Sequence, residues 1–179
     1  MELHRTVIVV PDVDNKVGRV VSAAGLAGAA LVGALLAAGA ILGDNAMHVR
    51  RAAALPDSRP NELQIRHVIV NAGDGARLSG LILPAGPAGR HRCAIALHGI
   101  GDCGSNAVWL GRMLAGAGYS ALLADSRAHG ASGGDLATYG VLERHDVSAW
   151  INHLSSMPEC RDGIYAYGAS MGAGILLQN

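Results

Sequence analysis

A serine flanked by small residues lies near the end of the sequence, in the run Gly168-Ala169-Ser170-Met171-Gly172. In a G-x-S-x-G turn between a strand and a helix, the serine backbone is strained and its hydroxyl stands clear of the sheet. The sequence offers that context, because the apolar run Ile164 to Tyr167 precedes the motif and a small-residue helical run follows it. Ser170 is therefore a candidate nucleophile for acyl transfer. The alternative is a serine in a glycine turn that has no chemical role.

A second motif, Leu97-His98-Gly99-Ile100-Gly101-Asp102, directly follows another apolar run. Acyl transfer needs backbone N–H donors aimed at the oxyanion that forms on the carbonyl oxygen. In a strand-turn-helix site, one donor belongs to the residue after the nucleophile and the other to a loop of this kind. The N–H groups of Met171 and Ile100 are the candidate oxyanion donors. We expect His98 to hold the loop by hydrogen bonding, and Asp102 to fix the turn or cap the next helix.

A third stretch, DSRAHGASGG from Asp125 to Gly134, follows the next apolar run along the chain. Its glycines and small residues allow the chain to pass close beneath a site at the ends of the strands. We expect Arg127 and His129 to be structural residues of this loop.

The elements that position these motifs alternate between strand and helix patterns. Alternating residues and a Gly73-Asp74-Gly75 turn predict a β-hairpin, and three short apolar runs predict strands buried on both faces. The predicted strands are 64–71, 77–83, 93–97, 119–124 and 164–167, and the predicted helices are 106–117, capped by Ser105, 138–154, and one beginning at Met171. This order predicts an α/β fold: a mostly parallel, doubly wound sheet with an antiparallel edge hairpin.

An uncharged run of mostly Ala and Gly, from Val20 to Leu42, is long enough to cross a hydrocarbon core of about 30 Å as a helix. We interpret it as an uncleaved transmembrane helix between an N-terminal arm (1–19) and a linker (43–62), with the α/β domain over 63–179. A cleaved signal peptide is the alternative, because Ala38-Gly39-Ala40 resembles a cleavage site. We expect a single-pass membrane protein with its domain on the outer face.

Composition excludes some functions. The 14 basic and 14 acidic residues balance, and no basic run marks a nucleic-acid surface, so we expect no nucleic-acid partner. No metal-ligand spacing or nucleotide-binding glycine loop is present, so we expect no cofactor. The sequence contains three cysteines, which we interpret as small buried hydrophobes, with one disulfide possible in an oxidising compartment: Cys93, Cys103 and Cys160.

Four segments, HGIGD, DSRAHGASGG, TYGVLERHDVSAWI and YGASMG, occur in an order and spacing that resembles the α/β-hydrolase family. The resemblance covers about Leu63 to Asn179 and is greatest to bacterial, often membrane-anchored hydrolases of the serine aminopeptidase-like group, which include esterases and peptidases. It implies an eight-stranded sheet with Ser170 after the fifth strand. It also implies hydrolysis of a small-molecule or peptide substrate through an acyl-serine intermediate.

The sequence departs from the family after the nucleophile. The family's triad acid and histidine follow the serine, whereas MGAGILLQN, the last nine residues, contains neither. We therefore expect a truncated hydrolase that is inactive and poorly soluble by itself, with its fifth strand left as an exposed edge. The alternative function is a non-catalytic, membrane-tethered remnant or interaction module with the same half-fold.

Overall fold

The computed structural model describes residues 13–53, 64–86, 89 and 91–179, with side chains from residue 25 onward. The chain divides into two compact units, Met1–Asp44 and Asn45–Asn179. We describe each unit separately.

The first helix, α1 (Val13–Met47), contains the apolar run. Its segment Gly25–Met47 has a mean hydropathy of 2.2, and none of its most apolar window is buried. It is long and apolar enough to cross a membrane, and it ends five residues beyond the predicted Val20–Leu42 span. A signal sequence has the same length and composition.

The second unit contains a five-stranded sheet with the spatial order β1-β2-β4-β3-β5. The strands are β1 (Arg66–Asn71), β2 (Arg77–Leu83), β3 (Arg92–Leu97), β4 (Tyr119–Ala124) and β5 (Ile164–Gly168). β2 is antiparallel to both β1 and β4, whereas β3 is parallel to both β4 and β5. Leu97 pairs with Ala124 and with Gly168, so the three parallel strands end level with one another. The predicted α/β sheet with an antiparallel edge hairpin is confirmed.

Helices cover both faces of this sheet. α2 (Val108–Gly116) lies on one face, where β3 and β4 contribute small and aliphatic side chains to a compact core. α3 (Glu143–Ser155) and α4 (Met171–Leu176) lie on the other face. The larger core there is centred on Trp150, which is 1% exposed. Burial of such aromatic and aliphatic surface is the main stabilising contribution to the domain.

Two predicted helix starts are wrong. The helix expected from residue 106 begins as a 3₁₀ turn (Gly104–Ala107), so Ser105 lies inside that turn and caps nothing. The helix expected from Thr138 begins instead at Glu143, because Tyr139 and Gly140 have φ angles of +53° and +113°, which interrupt a right-handed helix. The Glu143 carboxylate holds this turn by accepting hydrogen bonds from Thr138 N, Thr138 Oγ1 and Gly140 N at 2.6, 2.6 and 2.8 Å.

All three cysteines are buried, as predicted, and the alternative of one disulfide among them is the one observed. Cys93 and Cys160 form a disulfide with a Cα–Cα distance of 5.0 Å, and only Cys103 is a free, buried thiol. Cys93 lies near the start of β3 and Cys160 just before β5, its neighbour in the sheet, so pairing of these strands brings the sulfurs together.

Strand β5 was predicted to be buried on both faces, and that prediction is wrong. In the described residues β5 pairs on one side only, with β3. Its two tyrosines, Tyr165 and Tyr167, are 47% and 45% exposed. The outcome matches the separate expectation that the fifth strand forms an exposed edge of the sheet.

Candidate active site

Ser170 lies at the corner between β5 and α4, where the chain leaves the sheet. Its φ of +50° and ψ of −115° place a non-glycine residue in a sparsely populated backbone region. Such a conformation costs about 1–3 kcal/mol and persists only where the surrounding structure imposes it. The residue is exposed, so its hydroxyl faces solvent at the carboxyl edge of the parallel strands.

The two motif glycines are required by close backbone packing. A Cβ at Gly168 would lie 2.5 Å from Ala173 N, and one at Gly172 would lie 2.5 Å from Leu97 O and 2.8 Å from His98 O. No side chain fits at either position unless the backbone moves. The glycines therefore permit the tight corner that forces Ser170 outward.

The loop after β3 lies beside this corner. A Cβ built on Gly99 would be 3.5 Å from Ser170 Cβ, and Ala169 N donates a 3.0 Å hydrogen bond to Leu97 O. Among the described residues, neither Ile100 N–H nor Met171 N–H donates a hydrogen bond. The structure thus brings the Ile100 loop next to Ser170 and leaves both amides available to an external acceptor.

His98 and Asp102 hold this loop. His98 Nδ1 donates to Gly99 O at 2.7 Å, which leaves Nε2 to accept from Ser126 N at 3.1 Å. Both ring nitrogens are therefore occupied, and His98 has none free to accept a proton from Ser170. Asp102 Oδ1 accepts from Cys103 N and from Asn106 Nδ2, at 2.8 and 2.7 Å, which fixes the turn as expected.

Asp125, which the sequence analysis did not single out, links the two loops at this edge. Its Oδ1 accepts from Gly104 N at 2.7 Å and its Oδ2 from Ala131 N at 2.8 Å. A Cβ at Gly130 would lie 2.3 Å from this carboxylate, so the loop after β4 closes tightly around it. The sequence signal that could have identified Asp125 is its position, directly after a buried strand and before a glycine-rich loop.

Arg127 anchors the same loop to α3 and to the hairpin. Its Nε and Nη2 donate to the two carboxylate oxygens of Asp146 at 2.7 and 2.6 Å, and its Nη1 donates to Asp74 at 2.9 Å. Hydrogen bonding to Asp146, and then to Asp74, outweighs burial and raises the pKa of the Arg127 guanidinium above its ordinary value. The predicted structural role of Arg127 fits these contacts.

His129 is fully buried beneath the loop, with its ring 5.0 Å from that of His98. Its Nδ1 donates to Arg127 O at 2.8 Å, and its Nε2 has no partner among the described residues. Burial lowers the pKa of His129, so the ring is neutral at pH 7. Neither this histidine nor His98 forms a hydrogen bond with Ser170.

The sequence profile of the X-Pro dipeptidyl-peptidase (S15) family matches residues 37–178. The chain belongs to the S15 family. This result confirms the predicted α/β-hydrolase resemblance, whereas the narrower resemblance to the serine aminopeptidase-like group stays a prediction. A search of curated proteins finds no significant match.

Solved structures similar to this S15-family chain are α/β hydrolases. The Pyrococcus furiosus esterase Pf2001 is 28% identical with a TM-score of 0.62, over 72% of this chain and 52% of that one. An Exiguobacterium antarcticum esterase (22%, TM-score 0.53, covering 63% and 39%) and a Vigna radiata epoxide hydrolase mutant (21%, 0.53, 64% and 33%) share the fold. The S15-family chain spans about half the length of the Pyrococcus esterase. Family and fold together support a hydrolase.

Two cavities of the S15-family chain lie at different distances from the corner. A small cleft of about 100 Å³ opens beside it, lined by His98, Trp109, Tyr167 and Ala169 among others. A larger cavity of about 770 Å³ lies between the β1–β2 hairpin and α3, and Ser170 does not line it. Ser170 does not line the small cleft either, but its neighbour Ala169 does, so this is the nearer of the two cavities along the chain.

Proposed function

We propose that this chain carries the nucleophile and oxyanion hole of a serine hydrolase that cleaves esters or amides. Ser170 Oγ attacks the substrate carbonyl carbon and transfers its proton to a base, and the carbonyl oxygen becomes an oxyanion. The N–H groups of Ile100 and Met171 donate to that oxygen. Collapse of the intermediate expels the alcohol or amine, which takes up a proton, and water then hydrolyses the acyl-serine.

The observation that carries the proposal is the backbone of Ser170. A φ of +50° at an exposed serine, packed between two glycines that accept no Cβ, costs free energy that a purely structural turn would avoid by using glycine. The Ile100 and Met171 amides add two donors at the same edge of the sheet, just beyond the level ends of β3 and β5. Strain together with unpaired donors favours a reactive site over a structural corner.

We further propose that the triad acid and base lie on polypeptide outside these 179 residues. No acid or histidine follows Ser170, and the Ser170 side chain makes no hydrogen bond with any described residue. Without an imidazole to accept its proton, the hydroxyl remains a weak nucleophile. The chain by itself is then a truncated, inactive hydrolase, and the exposed β5 edge is where further strands would pair.

The substrate is a carboxylic ester or a peptide amide. The family description names peptide bonds after X-Pro, and the Pyrococcus relative is named an esterase. The same acyl-serine route serves both bonds, because both place a leaving group on a carbonyl carbon. Paired assays with an X-Pro anilide and a short-chain aryl ester distinguish the two.

We propose that α1 makes this a single-pass membrane protein with the domain on the outer face. The Cys93–Cys160 disulfide supports that orientation, because disulfides persist in oxidising compartments and are rare in the cytosol. Labelling of one introduced surface cysteine with a membrane-impermeant thiol reagent in intact cells tests it: labelling is expected, and its absence would contradict the orientation.

The hydrolase proposal is tested by reading the DNA downstream of the Asn179 codon and expressing any continuous product. We expect that product to encode an Asp or Glu and then a His, and to hydrolyse one of the two substrates. The 179-residue chain and the Ser170→Ala form of the longer product should both be inactive. A clean end to the gene, or a longer product that is active without Ser170, would instead favour the non-catalytic interaction module.

A further inference from the structure

The last turn of α1 is attached to the segment that leads into α3. Tyr139 Oη donates a 2.8 Å hydrogen bond to Ala46 O, and Ala137 N donates one of 2.8 Å to Met47 O. The last carbonyls of a helix have no donor within the helix, and these two bonds satisfy two of them. All four residues belong to the unit Asn45–Asn179. The end of the apolar helix is therefore part of the domain.

Arg51 continues this attachment beyond the helix. Its guanidinium donates to four backbone carbonyls of the loop after β4, those of His129, Gly130, Ser132 and Gly134. A planar guanidinium that donates to several carbonyls fixes the chain more firmly than a single bond would. Residues 45–53 therefore follow the domain surface and do not form a free tether.

Three large side chains beside this attachment face solvent. Tyr139, Val141 and Leu142 are 46%, 63% and 37% exposed. Single exposed apolar residues are ordinary. These three lie within four positions of one another, on a turn that the buried Glu143 carboxylate holds in place. We call them the 139–142 patch.

We propose that the 139–142 patch lies in the headgroup layer of the bilayer that α1 crosses. The apolar span ends at Met47, which is hydrogen-bonded to Ala137, so the patch is within a few residues of the point where the span leaves the hydrocarbon. Tyrosine suits that layer because its ring is apolar and its hydroxyl polar. Apolar neighbours gain free energy by leaving water there.

One consequence concerns the active site. α3 follows the loop from the carboxyl end of β4, so the 139–142 patch and Ser170 lie at the same edge of the sheet. That edge then borders the membrane surface. The proposal rests on α1 crossing a bilayer and does not depend on the role of Ser170.

The test uses the full chain in lipid vesicles with an environment-sensitive fluorophore on one introduced cysteine. Val141→Cys reports on the patch. Ala117→Cys is the control, because Ala117 is also exposed but lies before β4 at the opposite edge of the sheet. Both are made with Cys103→Ala, since the remaining two cysteines are disulfide-bonded.

Lipids that carry a nitroxide on the headgroup should quench the label at position 141 several-fold more than the label at 117. A water-soluble quencher should show the reverse order. Leu142→Cys provides a second reporter on the same patch. Equal quenching at the two edges, quenching greater at 117, or no association of the chain with vesicles would overturn the proposal.

Discussion

Replacing Gly172 with alanine tests whether the corner that holds Ser170 is built on close backbone contact. The new Cβ would lie 2.5 Å from Leu97 O and 2.8 Å from His98 O, and these backbone atoms cannot rotate away. Overpacking of this kind costs about 1–3 kcal/mol. Alanine recovers about 0.5–1 kcal/mol through its higher helix propensity. We therefore expect a net loss of up to about 2.5 kcal/mol of unfolding free energy, centred at about 1 kcal/mol.

Gly174→Ala is the matched control. Gly174 lies in the same short helix, and nothing lies within 4 Å of the Cβ position there. This variant should gain about 0.5–1 kcal/mol. Urea unfolding in detergent, followed by the fluorescence of the buried Trp150, measures both. If Gly172→Ala proves as stable as Gly174→Ala, the tight corner inferred from the geometry does not exist.

Three further predictions concern strain, pH and cross-linking. Ser170→Gly should raise the unfolding free energy by about 1 kcal/mol, because glycine adopts the positive φ without strain, whereas Ser170→Ala should not. Equal stability of the two variants in thermal melts would show that the backbone at residue 170 is not strained. Burial raises the pKa of Glu143, but the hydrogen bonds from Thr138 and Gly140 outweigh burial, so the pKa lies below its ordinary value. The ionised Glu143 carboxylate therefore stabilises the fold above its unfolded pKa of about 4.3, and this stabilisation is lost as pH falls through the folded pKa. Glu143→Gln should lower the unfolding free energy at pH 7 and flatten its dependence on pH. An equal difference between the two proteins in urea unfolding at all pH values would argue against this role. Reducing the Cys93–Cys160 bond, whose partners are 67 residues apart, should cost about 4 kcal/mol in the same assay, and an unchanged midpoint would show that the bond adds nothing.

Local patterns were sufficient to predict the sheet. Each strand could be recognised from its own residues, without knowledge of its partners in the sheet. The turn residues around Asp74 indicate the hairpin, and the short apolar runs before His98 and Asp125 indicate buried strands. The G-x-S-x-G corner was likewise predictable from its motif, and the requirement for Gly168 comes from neighbours in sequence. The close contacts of Gly172 are with Leu97 O and His98 O, which belong to β3 and the loop after it.

Contacts between distant segments were not predictable in this way. The Cys93–Cys160 bond requires β3 and β5 to be adjacent, a pairing set by the whole sheet. The Arg127–Asp146 pair lies on the buried face of α3, where one acid beside Val147 and Trp150 was the only signal. Helix periodicity also placed the start of α3 too early, because hydrogen bonds to the Glu143 carboxylate hold the preceding residues in a turn.

The helix end illustrates the same limit. The apolar run is long enough to span a membrane, as predicted. The contacts that Ala46 and Arg51 make within the second unit, with Tyr139 and Gly134, join residues that lie far apart in sequence. None of these residues carries a local signal for its contact. Tertiary contacts of this kind follow from the fold and cannot be inferred from periodicity.

The measurement that tests the central claim most directly is the position of a covalent adduct. The gene product that includes the downstream acid and histidine is treated with a fluorophosphonate, digested and sequenced by mass spectrometry. We expect one adduct per chain, on the peptide that contains Ser170, with Ser105, Ser126 and Ser132 unmodified. An adduct on a different residue, or a fully active enzyme with no adduct at Ser170, would contradict the account.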